Sequence, residues 1–254
     1  MVVGERSDGK MTINWHRHRR DEHGLGGPRD FLRQIVYGGN DGIVTTFAVV
    51  SGFAGAEATG TAEIGAIAVL VFGLANLFAD GVSMGLGEVL AARSQAVLHD
   101  RQRQGQLREL KDHPDAERAE LVQILEERGL DPAAARRVSR DLVSSPDLVA
   151  DLMMTYELDM PESPDRSPFL GGLSTFVSFI LFGFLPLIPY MLRDPLAPET
   201  FGLSVAATAA ALALLGVLRA LVTRERMWRG MAETLSVGGV CAVVAYGVGA
   251  LVAG

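Results

Sequence analysis

Five long apolar stretches constrain this chain more than any other feature. They run from Ile35 to Ala56, Ile64 to Leu90, Phe169 to Leu192, Phe201 to Val222 and Leu235 to Ala253. A bilayer core takes roughly 20 mostly apolar residues per helix, and each stretch meets or approaches that length. The chain has 254 residues, 48% of them hydrophobic, with a mean hydropathy of +0.24. A soluble core accommodates that bulk content, but five separate runs of bilayer length in one soluble domain are improbable. The expected fold is all-α: a polytopic membrane protein of five transmembrane helices, with a cytosolic helical insert between helices 2 and 3. The boundaries follow from composition, with a polar tail over residues 1–30, spans one and two over 31–93, the insert over 94–168 and spans three to five over 169–254.

Orientation follows from Arg and Lys beside short loops, which favour the cytoplasmic side. The tail carries Arg17, Arg19, Arg20, Arg29 and Arg33, and the link between spans four and five carries Arg219, Arg224, Arg226 and Arg229. The turn Glu57 to Glu63 has no basic residue and the link Arg193 to Thr200 has one. The N-terminus and insert are therefore expected to be cytoplasmic and the C-terminus external. Met1 to Asp30 shows no short apolar run before a small-residue cleavage site, so the first span is expected to direct insertion itself. Cys241 is the single cysteine, which leaves no intrachain disulfide and no Cys-based zinc site.

The insert, about Ser94 to Ser167, is rich in Asp, Glu, Arg and Gln. Pro114, after Asp112 and His113, opens a run that reaches Arg128 and stops at Gly129. Asp131-Pro132 opens a second run and Ser145-Pro146-Asp147 a third. In each, Pro stands near the first helical position behind a polar residue. Leu121, Ile124 and Leu125 give the first helix an apolar face, as do Val138, Leu142 and Val143 in the second and Leu148 and Leu152 in the third, so a compact bundle is expected. Pro161 to Pro168 reads as a linker. Glu117 and Glu120 fall at i, i+3 on one helix face, with Glu109 upstream. Met153 and Met154 are adjacent, with Glu157 three residues beyond Met154. Neighbouring helical side chains point about 100° apart, so a packed core is expected to hide one methionine of the two.

Ionisable groups inside a span cost on the order of 3 kcal/mol on insertion scales and mark function. Asp41 lies about one turn inside span one. In span two, Asn76, Asp80, Met84 and Glu88 recur every fourth residue, which aligns them along one side of a helix. Carboxylate oxygen combined with thioether sulfur suits borderline divalent transition metals better than Mg²⁺ or Ca²⁺. Gly38 and Gly42, and Gly81 and Gly85, have the spacing that lets membrane helices approach closely. Pro186 and Pro189 are expected to interrupt span three and free carbonyl oxygens.

The runs Asp41-Gly-Ile-Val-Thr-Thr-Phe-Ala-Val-Val-Ser-Gly, Ala79-Asp-Gly-Val-Ser-Met-Gly-Leu-Gly-Glu, Met153-Met-Thr-Tyr-Glu-Leu and Pro186-Leu-Ile-Pro-Tyr together resemble the vacuolar iron transporter family, which includes bacterial members. The resemblance extends from about Phe31 to the C-terminus. It implies a five-span, proton-coupled exporter of Fe²⁺, and often Mn²⁺, acting as a homodimer with the ion path between protomers. The path residues it implies are Asp41 and Met84; Asp80 and Glu88 join them from the stripe alone. It also implies that the insert collects metal through Glu109, Glu117, Glu120, Met153, Met154 and Glu157. A further glutamate expected one turn before Glu109 is here Gln106, a neutral group. No permanent cofactor is expected. The partners are Fe²⁺ or Mn²⁺, with Zn²⁺ a further ion for the insert, together with protons and lipid. The expected location is a bacterial inner (plasma) membrane.

A rival reading makes the chain a membrane-anchored metal sensor or storage scaffold, although an anchor has no need of Asp80 or Glu88. An enzyme finds no support, since the chain has no phosphate-binding glycine loop, His-rich metal centre or Glu-x-x-His pair. A net charge of −7 gives no support to nucleic-acid binding.

Overall fold

The computed structural model describes residues 4–7, 10–13, 18, 31–58, 66–161, 167–193 and 197–253. The tail arginines Arg17, Arg19, Arg20 and Arg29, most of the 161–168 linker and most of the Glu57 to Glu63 turn lie outside these. Two short strands, β1 (Gly4–Ser7) and β2 (Lys10–Ile13), pair antiparallel, a departure from the all-α expectation that is confined to the tail. Every other element among the described residues is helical. The helices are α1 (Leu32–Ala58), α2 (Ala66–Asp112), α3 (Pro114–Glu127), α4 (Pro132–Leu142), α5 (Pro146–Tyr156), α6 (Pro168–Gly183), α7 (Ile188–Leu192), α8 (Pro198–Thr223) and α9 (Met227–Ala253).

Among the described residues, four segments are long and apolar enough to cross a membrane: Ile67–Asp112, Pro168–Leu192, Glu199–Thr223 and Met227–Val252. The first expected span, α1, is not among them. At 27 residues it is long enough, about 40 Å at 1.5 Å per residue, but Asn40, Asp41, two threonines and several glycines dilute its apolar content. By contrast α2 is far longer than a bilayer needs, running unbroken for 47 residues. Its apolar part, from Ile67 to Glu88, covers about 33 Å, close to the thickness of a hydrocarbon core.

The chain divides into two compact units, one formed by residues 1–88 and 169–254 and the other by residues 89–168. In the first, Phe47 and Val50 of α1, Val69 and Leu77 of α2, Phe179 of α6, Leu187 and Tyr190 form one buried cluster, while Ile43 packs with Ala211, Leu212 and Leu215 of α8. The glycine pairs serve close approach as their spacing suggests, and both pairs close on the same helix. A Cβ at Gly38 would stand 2.6 Å from the Thr175 carbonyl oxygen, and one at Gly42 would strike that of Phe179. On α2, a Cβ at Gly81 would crowd Ile180 and Phe179, and one at Gly85 would stand 3.0 Å from the Gly172 carbonyl oxygen. Thus α6 is gripped by α1 on one side and α2 on the other.

The prolines interrupt the third apolar segment as expected. Helix α6 ends at Gly183, a single 3₁₀ turn covers Leu185–Leu187, and α7 resumes at Ile188. The Pro186 carbonyl accepts a 2.7 Å hydrogen bond from the Ser204 hydroxyl of α8, which satisfies it.

In the second unit, the end of α2 joins α3, α4 and α5 around Leu121, Val149 and Met153, with Leu110, Ile124, Leu125, Leu142 and Leu152 packed against them. The helix starts fall where the prolines place them. Asp131 caps α4 by accepting from the amides of Ala133 and Ala134 at 3.0 and 3.3 Å, and Gly129 takes a positive φ of 98° after α3, a conformation that costs glycine little.

Candidate metal site and membrane carboxylates

The polar stripe of α2 is real as a geometric feature. Gly73, Leu77, Gly81 and Gly85 are buried, and Asn76, Asp80, Met84 and Glu88, each one residue before or three after a member of that row, are half-buried along its edge. The next positions round the helix, Phe78, Ala79, Val82, Ser83, Leu86 and Gly87, are exposed. The four side chains do not share one environment. Asn76 lines an apolar cavity of about 810 Å³ with Phe53, Phe72 and Gly249. Met84 packs on the Phe47–Phe179 cluster. Glu88 accepts a 2.9 Å hydrogen bond from the Gln34 amide of α1, a partner that sequence reasoning missed because Gln34 sits in the polar approach to the first span. Asp80 and Asp41 lie within electrostatic reach of each other, so two helices contribute one carboxylate each to the same neighbourhood. The Asp41 backbone carbonyl accepts from the Thr45 hydroxyl at 2.8 Å, which leaves its carboxylate free of that bond.

In the second unit, a cavity of about 440 Å³ opens where α2 turns into α3, lined by Arg108, Glu109, Asp112, His113, Glu117 and Glu120 among others. Glu109 stands on the last turns of α2, and the His113-Pro114 junction turns the chain so that Glu117 and Glu120 face back toward it. Glu117 is only 5% exposed, and its Oε2 is buried without a hydrogen-bond partner. An unpartnered buried carboxylate oxygen is costly, and here burial, followed by the charges of Glu120, Glu109 and Glu157, pushes its pKa up to about 7. Glu157 is raised for the same first reason, burial, and then by Glu120, against the lowering effect of the Gln106 hydrogen bond.

Gln106 is 4% exposed. Its Nε2 donates to Glu157 Oε2 at 3.2 Å, while its Oε1 is buried with no partner. The neutral residue thus ties α2 to the end of α5. The same two helices are joined by Arg103, which reaches Asp151 at 2.8 Å and Asp147 at 2.9 Å.

The methionines differ from expectation. Met153 and Met154 are both fully buried, because α5 is covered from two directions, by α2 through Arg103 and Gln106 and by α3 and α4. Met153 is part of the insert's core. Among the described residues no three His, Cys, Asp or Glu side chains stand in closed metal-ligand geometry.

In the sequence His113 stands out only as the residue before the helix-opening Pro114. It occupies the position preceding α3, yet its side chain makes no capping hydrogen bond, and the ring lies within electrostatic reach of Glu117. A histidine four residues from a glutamate on each side, Glu109 and Glu117, was the signal available.

Several bilayer-length apolar helices among the described residues, together with an acidic helical unit, define an integral membrane protein. The profile of the VIT family matches residues 32–250, and the chain belongs to that family. It is 30% identical to vacuolar iron transporter 1 of Oryza sativa subsp. japonica over 94% of this chain and 91% of that protein. It is 31% identical to the vacuolar iron transporter of Centaurea cyanus over 97% and 95%, and 31% identical to that of Toxoplasma gondii over 87% and 74%.

Proposed function

We propose that this chain is a divalent-metal transporter that exports Fe²⁺, and also Mn²⁺, from the cytosol in exchange for protons, with five spans and a cytosolic metal-collecting insert. The observation that carries the reading is the convergence of Asp41 of α1 and Asp80 of α2 on apolar helices. A charge there is expensive unless it faces an ion path. The names of the relatives support iron as the cargo. On this reading α1 is the first span in spite of its diluted apolar content, and the dilution is the mark of its function.

The insert captures metal with Glu109, Glu117, Glu120 and Glu157, and Met153 and Met154 become ligands only if α5 rotates or loosens. Asp41, Asp80, Met84 and Glu88 then pass the ion across. A carboxylate must lose its proton to ligate a metal, so protons and metal compete for the same oxygens, which is a physical route to antiport. A homodimer in a bacterial inner membrane, with the N-terminus and insert cytoplasmic and the C-terminus external, completes the proposal.

Sealed proteoliposomes with an imposed pH gradient test it. The wild-type protein should take up Fe²⁺ anaerobically, and Asp41→Ala should abolish uptake while the protein remains monodisperse and helical. Undiminished transport by the variant would refute the role of Asp41. Metal binding without flux in the wild type would instead establish an anchored sensor or scaffold.

A further inference from the structure

The cavity at the α2–α3 junction is lined by a histidine that the carboxylate reading does not use. The chain has five histidines; His16, His18 and His23 belong to the tail, and only His99 and His113 fall in the insert. Of these two, His113 alone lines the cavity, with Arg108, Glu109, Asp112, Glu117 and Glu120. It is exposed, at the point where α2 ends and α3 begins, so its ring turns without disturbing a packed core. Its backbone is fixed, because the amide donates to the Glu109 carbonyl at 2.7 Å and the carbonyl accepts from Ala116 and Glu117. The cavity also presents a buried, unpartnered acceptor, Glu117 Oε2, and a buried oxygen left unpaired beside like charges is best satisfied by a cation.

We propose that His113 supplies a nitrogen ligand to a divalent cation bound in this cavity alongside Glu117 and the neighbouring carboxylates, and thereby tilts the insert toward Fe²⁺ and Zn²⁺ over Mn²⁺. The inference rests on the reading of the insert as a metal collector. Its physical basis is ligand softness: imidazole suits Zn and Fe, whereas an all-oxygen set suits Mn and Mg. Closing the set takes rotation of the exposed Glu109, Glu120 and His113 side chains around the fixed Glu117, which the incoming charge drives by relieving their mutual repulsion.

The test uses full-length protein in detergent loaded with Mn²⁺ alone and examined by pulsed electron paramagnetic resonance, with calorimetric titrations of Mn²⁺ and Zn²⁺ beside it. Imidazole ¹⁴N modulation of the bound Mn²⁺ is expected in the wild type and in His99→Ala, and should vanish in His113→Ala and His113→Asn. Zn²⁺ should bind at least tenfold more weakly to His113→Ala, and Mn²⁺ less than threefold more weakly. Bound Mn²⁺ without nitrogen modulation, or modulation that survives in both His113 variants, overturns the assignment and leaves the collector reading standing. If Glu117→Gln leaves the number and affinity of bound metals unchanged, the collector reading fails and this inference fails with it.

Discussion

The buried carboxyl of Glu117 makes the stability of the insert depend on pH, and the dependence has a definite sign. Its folded pKa is about 7, against an ordinary value of 4.5, so between those values the folded state holds a proton that the unfolded state has lost. Stability therefore falls as pH rises through this window. Linkage puts the destabilisation at roughly 3 kcal/mol at pH 8 and under about 1 kcal/mol at pH 5, a loss of about 2.5 kcal/mol between them. Glu157, raised in the same direction, adds to the slope. Amide hydrogen exchange on the metal-free, detergent-solubilised protein reads this out in α3 and α5. After correction for intrinsic rates, protection should be roughly 70-fold lower at pH 8 than at pH 5. In Glu117→Gln the larger part of that difference should disappear, leaving the smaller contribution of Glu157. A divalent metal supplied at about 100 times its dissociation constant should return roughly 2.7 kcal/mol, enough to restore protection at pH 8. Wild-type protection that does not fall with pH, or an equal fall in the Gln variant, would refute the reasoning.

Other expectations follow from the packing. Gly42→Leu drives a side chain into the Phe179 carbonyl and should cost on the order of 3 kcal/mol, seen as a lower melting temperature in detergent; a wild-type value would mean that α1 and α6 do not meet there. Ser204→Ala removes the only hydroxyl described as donating to the Pro186 carbonyl and should cost about 1–2 kcal/mol in the same assay, whereas no change would show that the carbonyl finds another donor. Arg103→Ala should cost less than about 1 kcal/mol, because its partners Asp147 and Asp151 are 80% and 55% exposed; a larger loss that persists at high salt would show the pair to be shielded.

How much of this was legible in the sequence depends on what each signal encodes. Pro114, Pro132 and Pro146 state helix starts directly, because proline needs no donor in a first turn, and α3, α4 and α5 begin at those residues. The continuity of α2 was hidden, because at Ser94 the composition turns from apolar to polar while helix-favouring Ala, Leu, Gln and Arg continue; solvent preference changes and backbone preference does not. The burial of both methionines was missed since periodicity describes one helix and cannot count the neighbours on its other side. Hydropathy and motif disagree over α1 for a physical reason. The residues that make the segment distinctive, Gly38, Asn40, Asp41 and Gly42, are the ones that lower its apolar content. Gly38 and Gly42 let it press against the α6 backbone, and Asp41 brings a carboxylate toward Asp80. A helix specialised for close packing and charge resembles a lipid-facing span less, and on the proposed transport reading the weakest apolar segment is the one most committed to function.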